Sequence, residues 1–165
     1  MIEIKELSRN EIAGKCIEGL NRLFVALAQG QTPHRINIED LVDTVRNPLF
    51  YIFVAYDADK EYPENFAGMA SILFQRTLTH WIGELHDIAV EPSYHGRGLG
   101  FSLLLKQVQK AEELVRNTKM TVVLSLTSRP SRKSANKLYP KLGFVRVARA
   151  YGKEGTNLYR KVIRP

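Results

Sequence analysis

Apolar residues recur at helical spacing in separate stretches of the chain, and each stretch predicts a helix with one buried face. The first helix begins behind the sequence SRNE at residues 8–11, which has the form of a capping box, and it ends at Gly30. Its apolar face includes Cys16, which we therefore expect to be a packed thiol and not a nucleophile. The later helices are predicted over residues 38–45, 99–115 and 132–142.

Runs rich in β-branched and aromatic residues predict strands between these helices. The predicted strands cover residues 1–6, 50–56, 66–78, 81–90, 120–126, 144–150 and 157–163. The resulting order, β-α-α-β-β-β-α-β-α-β-β, is that of an α/β fold around a mixed sheet. Because the sequence contains neither a repeat nor a linker, we predict a single domain over residues 1–165.

Composition narrows the class of protein. Of the 165 residues, 44% are apolar and 25% are charged, and no run approaches the roughly 18 apolar residues of a membrane helix. The N-terminus lacks the basic start and apolar core of a signal peptide, and the one cysteine excludes an internal disulfide. The four histidines lack metal-ligand spacing. We therefore expect a cytoplasmic protein with no membrane association and no metal site.

The net charge of +7 is unevenly distributed along the chain. Residues 1–118 carry 12 basic and 16 acidic residues, whereas residues 119–165 carry 12 basic residues and one acid, Glu154. Such an excess of positive charge attracts phosphate-rich ligands, from nucleotide cofactors to nucleic acid, but it is equally typical of a solvated basic face. Nucleic-acid binding rests on this charge alone, so we do not predict it.

The sharpest local feature is the sequence VEPSYHGRGLG at residues 90–100, between a predicted strand and a predicted helix. Free backbone amides and the positive end of the helix dipole face a bound anion at such a junction, and glycines permit its close approach. The spacing G-x-G-x-G fits neither the dinucleotide fingerprint G-x-G-x-x-G nor the Walker loop. The loop is therefore a candidate pyrophosphate site of another type.

This segment resembles motif A of the GNAT acetyltransferases, a strand ending in valine followed by [Q/R]-x-x-G-x-[G/A] and a helix. Val90, Gly98 and Gly100 match that motif, while His95 stands where the family prefers Gln or Arg. The sequence ANKLYPKLGF at residues 135–144 is similar to motif B, A-x-x-L-Y-x-x-x-G-F, with Arg132 where the family often has Asn. The order and separation of the two motifs make the resemblance specific.

The resemblance implies a GNAT fold, in which acetyl-CoA lies between splayed parallel strands, the fourth and fifth here, of a mostly antiparallel sheet with flanking helices. Backbone amides at the end of the fourth strand would bind the pantetheine arm, and one would polarise the thioester oxygen. The implied cofactor contacts are Ile88, Ala89, Val90, His95, Gly96, Arg97, Gly98, Leu99, Gly100 and Arg132.

Catalytic candidates follow from strand alternation and from the family. Period-two alternation places Glu84 and His86 on one face of the fourth strand and Asp87 on the other, where we expect a structural role. Glu84 corresponds to the general-base glutamate of family histone acetyltransferases, while arylalkylamine acetyltransferases have histidines at the Glu84 and His86 positions. A structural pair, or a water chain as the base, is the alternative for both. Tyr139 matches the tyrosine that protonates the departing thiolate in many members.

The predicted function is acetyl transfer from acetyl-CoA to the primary amine of a small molecule, by direct attack in a ternary complex. The alternatives are acetylation of a protein N-terminus or lysine, and a non-catalytic acyl-CoA-binding module. Helices 1 and 2, the fourth strand and the last hairpin form the acceptor pocket in this fold, which implicates Phe24, His34, Arg35 and residues 151–155. The oligomeric state that we consider is a homodimer.

Overall fold

Seven strands and four α-helices follow one another in the predicted order in the computed structural model, which describes residues 1–7, 16–28, 31–150 and 155–165. The strands are β1 (Ile2–Glu6), β2 (Phe50–Asp57), β3 (Phe66–Arg76), β4 (Trp81–Val90), β5 (Val122–Ser128), β6 (Val145–Ala150) and β7 (Thr156–Ile163). The helices are α1 (Ile17–Ala28), α2 (Ile38–Arg46), α3 (Leu99–Thr118) and α4 (Lys133–Asn136). The predicted capping box at 8–11 and the helix end at Gly30 lie outside the described residues.

The strands form one sheet in the order β1-β2-β3-β4-β5-β7-β6. The parallel pair is β4 with β5, whose register joins Trp81–Glu84 to Val122–Ser125. Antiparallel registers join β1 to β2, β5 to β7 and β6 to β7. The prediction of an α/β fold with a mixed sheet and parallel fourth and fifth strands is therefore confirmed.

Several predicted bounds differ from the structure, and two of the differences have clear local reasons. β3 ends at Arg76 because Thr77 and His80 close a turn, in which the Thr77 amide donates to the His80 carbonyl at 2.9 Å. The helix predicted over residues 132–142 is divided into α4 and a 3-10 turn at Tyr139–Leu142. Pro140 lies in that second segment, and a proline has no amide to continue an α-helical ladder.

The chain divides into two compact units, which comprise Met1–Ile72 with His86–Gln107 and Leu73–Leu85 with Val108–Pro165. In the first unit, Cys16, which directly precedes α1, is buried with Leu20 and Leu23 of α1 in a core that includes Val54, which confirms the predicted apolar face at these positions. In the second unit, Leu124 is fully buried. A single domain over residues 1–165 stays a prediction. None of the described helices is long and apolar enough to span a membrane.

Candidate active site

β4 supplies several of the predicted site residues, and it alternates regularly only in its first part. Gly83 and Leu85 are buried, while Glu84 and His86 are exposed, as the period of a strand requires. The alternation breaks at Asp87, which adopts the left-handed conformation with φ 52°. Its carboxylate Oδ2 accepts a 2.8 Å hydrogen bond from the Ser71 hydroxyl of β3. Aspartate is among the few residues that tolerate this backbone geometry.

The loop after β4 is held by its own side chains. Glu91 accepts hydrogen bonds from the Ser93 amide at 3.0 Å and the Ser93 hydroxyl at 2.9 Å, which fixes a 3-10 turn at Pro92–Tyr94. His95 follows, and its Nε2 lies 3.0 Å from the Val90 carbonyl oxygen. A carbonyl oxygen only accepts, so Nε2 carries the hydrogen. His95 thus fastens the loop to the end of the strand, which is a different contact from the predicted one to the cofactor.

The glycines of this loop form a cradle with open space in front of it. Gly96 and Gly98 have φ angles of 79° and 78°, and a Cβ at either position would meet no atom within 4 Å. The first amide bonded into α3 is that of Ser102, which donates to the Gly98 carbonyl at 3.1 Å. The preceding amides have no acceptor within the helix and are available to an anion. The residues present therefore fit a pyrophosphate group.

Two cations lie over the tyrosine that precedes the cradle. The Arg97 guanidinium is 5.2 Å from the centre of the Tyr94 ring, and the Lys60 ammonium is 4.9 Å from it. The Tyr94 hydroxyl donates a 2.6 Å hydrogen bond to Asp57. Burial, and then Asp57, raises the pKa of Tyr94, while that hydrogen bond is the main cause that lowers the pKa of Asp57. The turn is thereby anchored to β2 with positive charge at its surface.

Tyr139 is almost entirely buried in the second unit, with 5% of its surface exposed. Its ring centre lies 4.8 Å from that of Tyr159 and 6.4 Å from that of Phe144. Burial raises the pKa of the phenol above its ordinary value near 10, against the lowering influence of Ser128 and of the Arg132 charge. The phenol is therefore protonated at neutral pH.

Arg132 lies immediately before α4 and is half-buried. Burial, followed by the charge of Arg129, lowers the pKa of its guanidinium, and Tyr139 opposes that shift. Arg132 and Tyr139 thus each shift the pKa of the other within the second unit. They occupy two different positions of motif B.

A pocket of about 140 Å³ lies within the first unit. Its wall is mostly apolar and includes Phe24 of α1, whose role in an acceptor site stays a prediction. Polar groups at its surface come from Asp40 and Thr44 of α2, Ser71 of β3 and Asp87 of β4. His34 and Arg35 are exposed and do not line it, residues 151–154 lie outside the described structure, and Gly155 lines another pocket.

Residues 18–144 match the model of the acetyltransferase (GNAT) family. This chain belongs to the GNAT acetyltransferases. A comparison with curated protein sequences finds no similar sequence.

Solved structures of similar fold include other acetyltransferases. The chain is similar to NAA60 from Arabidopsis thaliana in complex with acetyl-CoA, with TM-score 0.72, 15% identity and 99% of each chain covered. It is also similar to the ribosomal-protein-S18-alanine N-acetyltransferase from Escherichia coli, with TM-score 0.66 and 22% identity. That comparison covers 100% of this chain and 96% of the other. A third similar structure is glucosamine-6-phosphate N-acetyltransferase from Arabidopsis thaliana, with TM-score 0.66 and 13% identity. That comparison covers 93% of this chain and 97% of the other.

As a GNAT acetyltransferase the protein uses acetyl-CoA, and the glycine cradle fits its pyrophosphate. In the described part of the chain, no group of three or more His, Cys, Asp or Glu side chains is arranged to hold a metal ion. The roles of Tyr139, Glu84 and His86 stay predictions. Sequence reasoning missed Asp40, Ser71 and Asp87 as pocket residues, because they come from three separate elements that only the fold brings to one surface.

Proposed function

We propose that this acetyltransferase acts on the primary amine of a small molecule, by direct attack of the amine in a ternary complex. The observation that carries the proposal is the pocket of about 140 Å³ in the same compact unit as the glycine cradle. Its apolar wall suits a small hydrocarbon body, and the carboxylates of Asp40 and Asp87 suit an ammonium group. A protein N-terminus is the alternative acceptor, because its first residue presents a side chain and an ammonium together.

In this proposal, backbone amides and positively charged side chains bind acetyl-CoA. The amides of Gly96, Gly98 and Gly100 hold the pyrophosphate, with Arg97 adding positive charge, and the amides of residues 88–90 hold the pantetheine arm. Arg132 stays a cofactor contact that motif B implies. Leu99, Ala89 and His95 contribute through their backbone positions in the same segment. Acetyl-CoA supplies the acetyl group as a thioester.

Side chains of this protein accept and donate the protons of the reaction. The ammonium first loses one proton, and the neutral nitrogen then forms a bond to the acetyl carbon. The adduct nitrogen loses a second proton as the carbon–sulfur bond breaks, and this proton replaces, through solvent, the one that the Tyr139 hydroxyl gives to the sulfur. Glu84 accepts the ammonium proton, directly or through water, and His86 is the alternative base. The Tyr139 hydroxyl gives its proton to the departing sulfur, which its raised pKa permits at neutral pH. As part of the same proposal we place the reaction in the cytoplasm.

The test compares acceptors and two neighbouring carboxylates. CoA release is measured with small primary amines of increasing apolar size, with peptides that have a free N-terminus, and with N-terminally blocked lysine peptides. Asp40 lines the pocket, while Asp43, three residues further along α2, pairs with Arg46 and does not line it. Asp40→Asn should raise the KM for the preferred amine by about tenfold, and Asp43→Asn should leave it unchanged. Turnover with free-N-terminus peptides alone would overturn the small-molecule proposal.

A further inference from the structure

The second unit contains a strongly basic pocket that the proposed reaction does not use. It has a volume of about 650 Å³ and lies between α4, β6 and β7. Lys133 and Lys137, four residues apart at α4, and Arg146 of β6 contribute positive charge to its lining. None of its described lining residues is acidic. The surrounding sequence offers little compensation, because residues 119–165 carry one acid among 12 basic residues.

The floor of this pocket is an ordered polar network centred on Asn136. The Asn136 amide donates to the carbonyls of Arg129 and Arg132, at 2.9 Å each. Its Oδ1 accepts from the Tyr159 hydroxyl at 2.9 Å and from the Asn157 amide at 3.4 Å. Tyr159 and Asn157 are themselves buried, with 5% and 6% of their surfaces exposed. The side chains beneath the cations are thus fixed in place, as in a binding site and unlike an ordinary solvated face.

We infer that this pocket binds a small molecule that carries a phosphate group. Three cations around one concave surface repel one another, and a dianion relieves that repulsion more completely than a carboxylate does. The planar guanidinium of Arg146 can pair with two phosphate oxygens, while Lys133 and Lys137 act as point charges. A volume of about 650 Å³ accommodates an organic ligand beyond the phosphate itself. The inference concerns binding and does not depend on the acceptor proposed above.

Inorganic phosphate is the probe, titrated into the protein by NMR at constant ionic strength. Saturating CoA is present, so that the glycine cradle is already occupied. Lys137 and Arg146 are exposed, so their replacement should preserve the fold, which a thermal melt checks. Lys137→Met combined with Arg146→Met should weaken phosphate binding by at least about tenfold. Lys141→Met removes an exposed lysine that does not line the pocket, and it should leave the affinity unchanged.

Three results would overturn the inference. The first is phosphate binding that is absent, or equal in the double variant and in Lys141→Met. The second is equal affinity for acetate at the same ionic strength, which would reduce the pocket to a general anion surface. The third is phosphate binding that appears only without CoA, together with a loss of CoA affinity in the double variant, which would make the pocket part of the co-substrate site.

Discussion

The hydroxyl of Tyr94 donates a 2.6 Å hydrogen bond to Oδ2 of Asp57, which joins the turn before the glycine cradle to the end of β2. Tyr94 is buried, so its hydroxyl would lack solvent if this partner were removed. Arg97 lies over the same ring, and it follows Gly96 directly in the cradle. The bond therefore fixes the loop that carries the phosphate-binding amides, far along the chain from its partner.

Loss of this bond should destabilise the protein in a pH-dependent way. Because the bond lowers the pKa of Asp57, its stabilisation is complete above the ordinary carboxyl pKa and is lost as pH falls through the lowered one. Tyr94→Phe should therefore reduce Tm by a few degrees at pH 7, and the difference should shrink from about pH 4 downwards. Thermal melts of Tyr94→Phe, Asp57→Asn and the double variant isolate the pairwise coupling. An equal Tm difference at pH 3 and pH 7 would contradict this account.

Substitution of Gly98 should separate charge from backbone strain in co-substrate binding. Asn and Asp have nearly the same shape and both tolerate a positive φ, and a side chain at Gly98 meets open space. Only Asp places a negative charge at the pyrophosphate. Gly98→Asp should therefore bind CoA at least about tenfold more weakly than Gly98→Asn, as measured by calorimetry, with similar Tm values. Equal affinities of the two variants would show that the pyrophosphate lies elsewhere.

The order of elements was predictable because each has a strong local pattern. The alternation in β4 and the apolar face of α1 come from burial on one side, which repeats along the chain. The residues that line the pocket of about 140 Å³ were harder to predict from such local patterns. Alternation assigns Asp87 to a structural face, and its carboxylate does bond to the Ser71 hydroxyl, but no local pattern indicates that Asp87 also lines the pocket.

Motif comparison found the cradle but not how its side chains are used. Motif A predicts His95 as a cofactor contact, which stays a prediction, but it did not indicate that the imidazole lies against the Val90 carbonyl. The basic pocket had a sequence signal in the excess of Lys and Arg after residue 119. That signal did not indicate which cations converge, because Lys133 and Arg146 meet only through the pairing of β6 with β7 and the placement of α4.

Tyr139→Phe should reduce kcat by about tenfold to a thousandfold while preserving the Kd for acetyl-CoA. The ring contacts with Tyr159 and Phe144 persist in the variant, so the loss is confined to the hydroxyl. Because the pKa of Tyr139 is raised, wild-type activity should not decline below pH 10 through ionisation of this group. Tyr159→Phe is the matched control, since it removes a neighbouring hydroxyl that bonds to Asn136. An unchanged kcat under conditions where chemistry limits turnover would reduce Tyr139 to a packing residue.

The base that removes the ammonium proton is distinguished by its pH profile. Glu84 and His86 are both exposed on the same side of β4, and thermal melts of each variant check that the fold is retained. If Glu84 is the base, Glu84→Gln should depress kcat/KM most at pH values below the pKa of the amine, and the defect should shrink above it. The reason is that a substrate that arrives neutral needs no base.

If the imidazole of His86 accepts the proton, the pH-dependent defect should appear in His86→Ala and not in Glu84→Gln. The kcat/KM of His86→Ala should then recover at pH values above the pKa of the amine. Steady-state kinetics of both variants against one amine, and against an analogue of lower pKa, provide the comparison. The analogue should shift the onset of rescue to lower pH by the difference between the two amine pKa values. A defect that is constant with pH would assign the residue to substrate orientation. Full activity of both variants at all pH values would exclude both bases and leave proton transfer to a chain of water molecules.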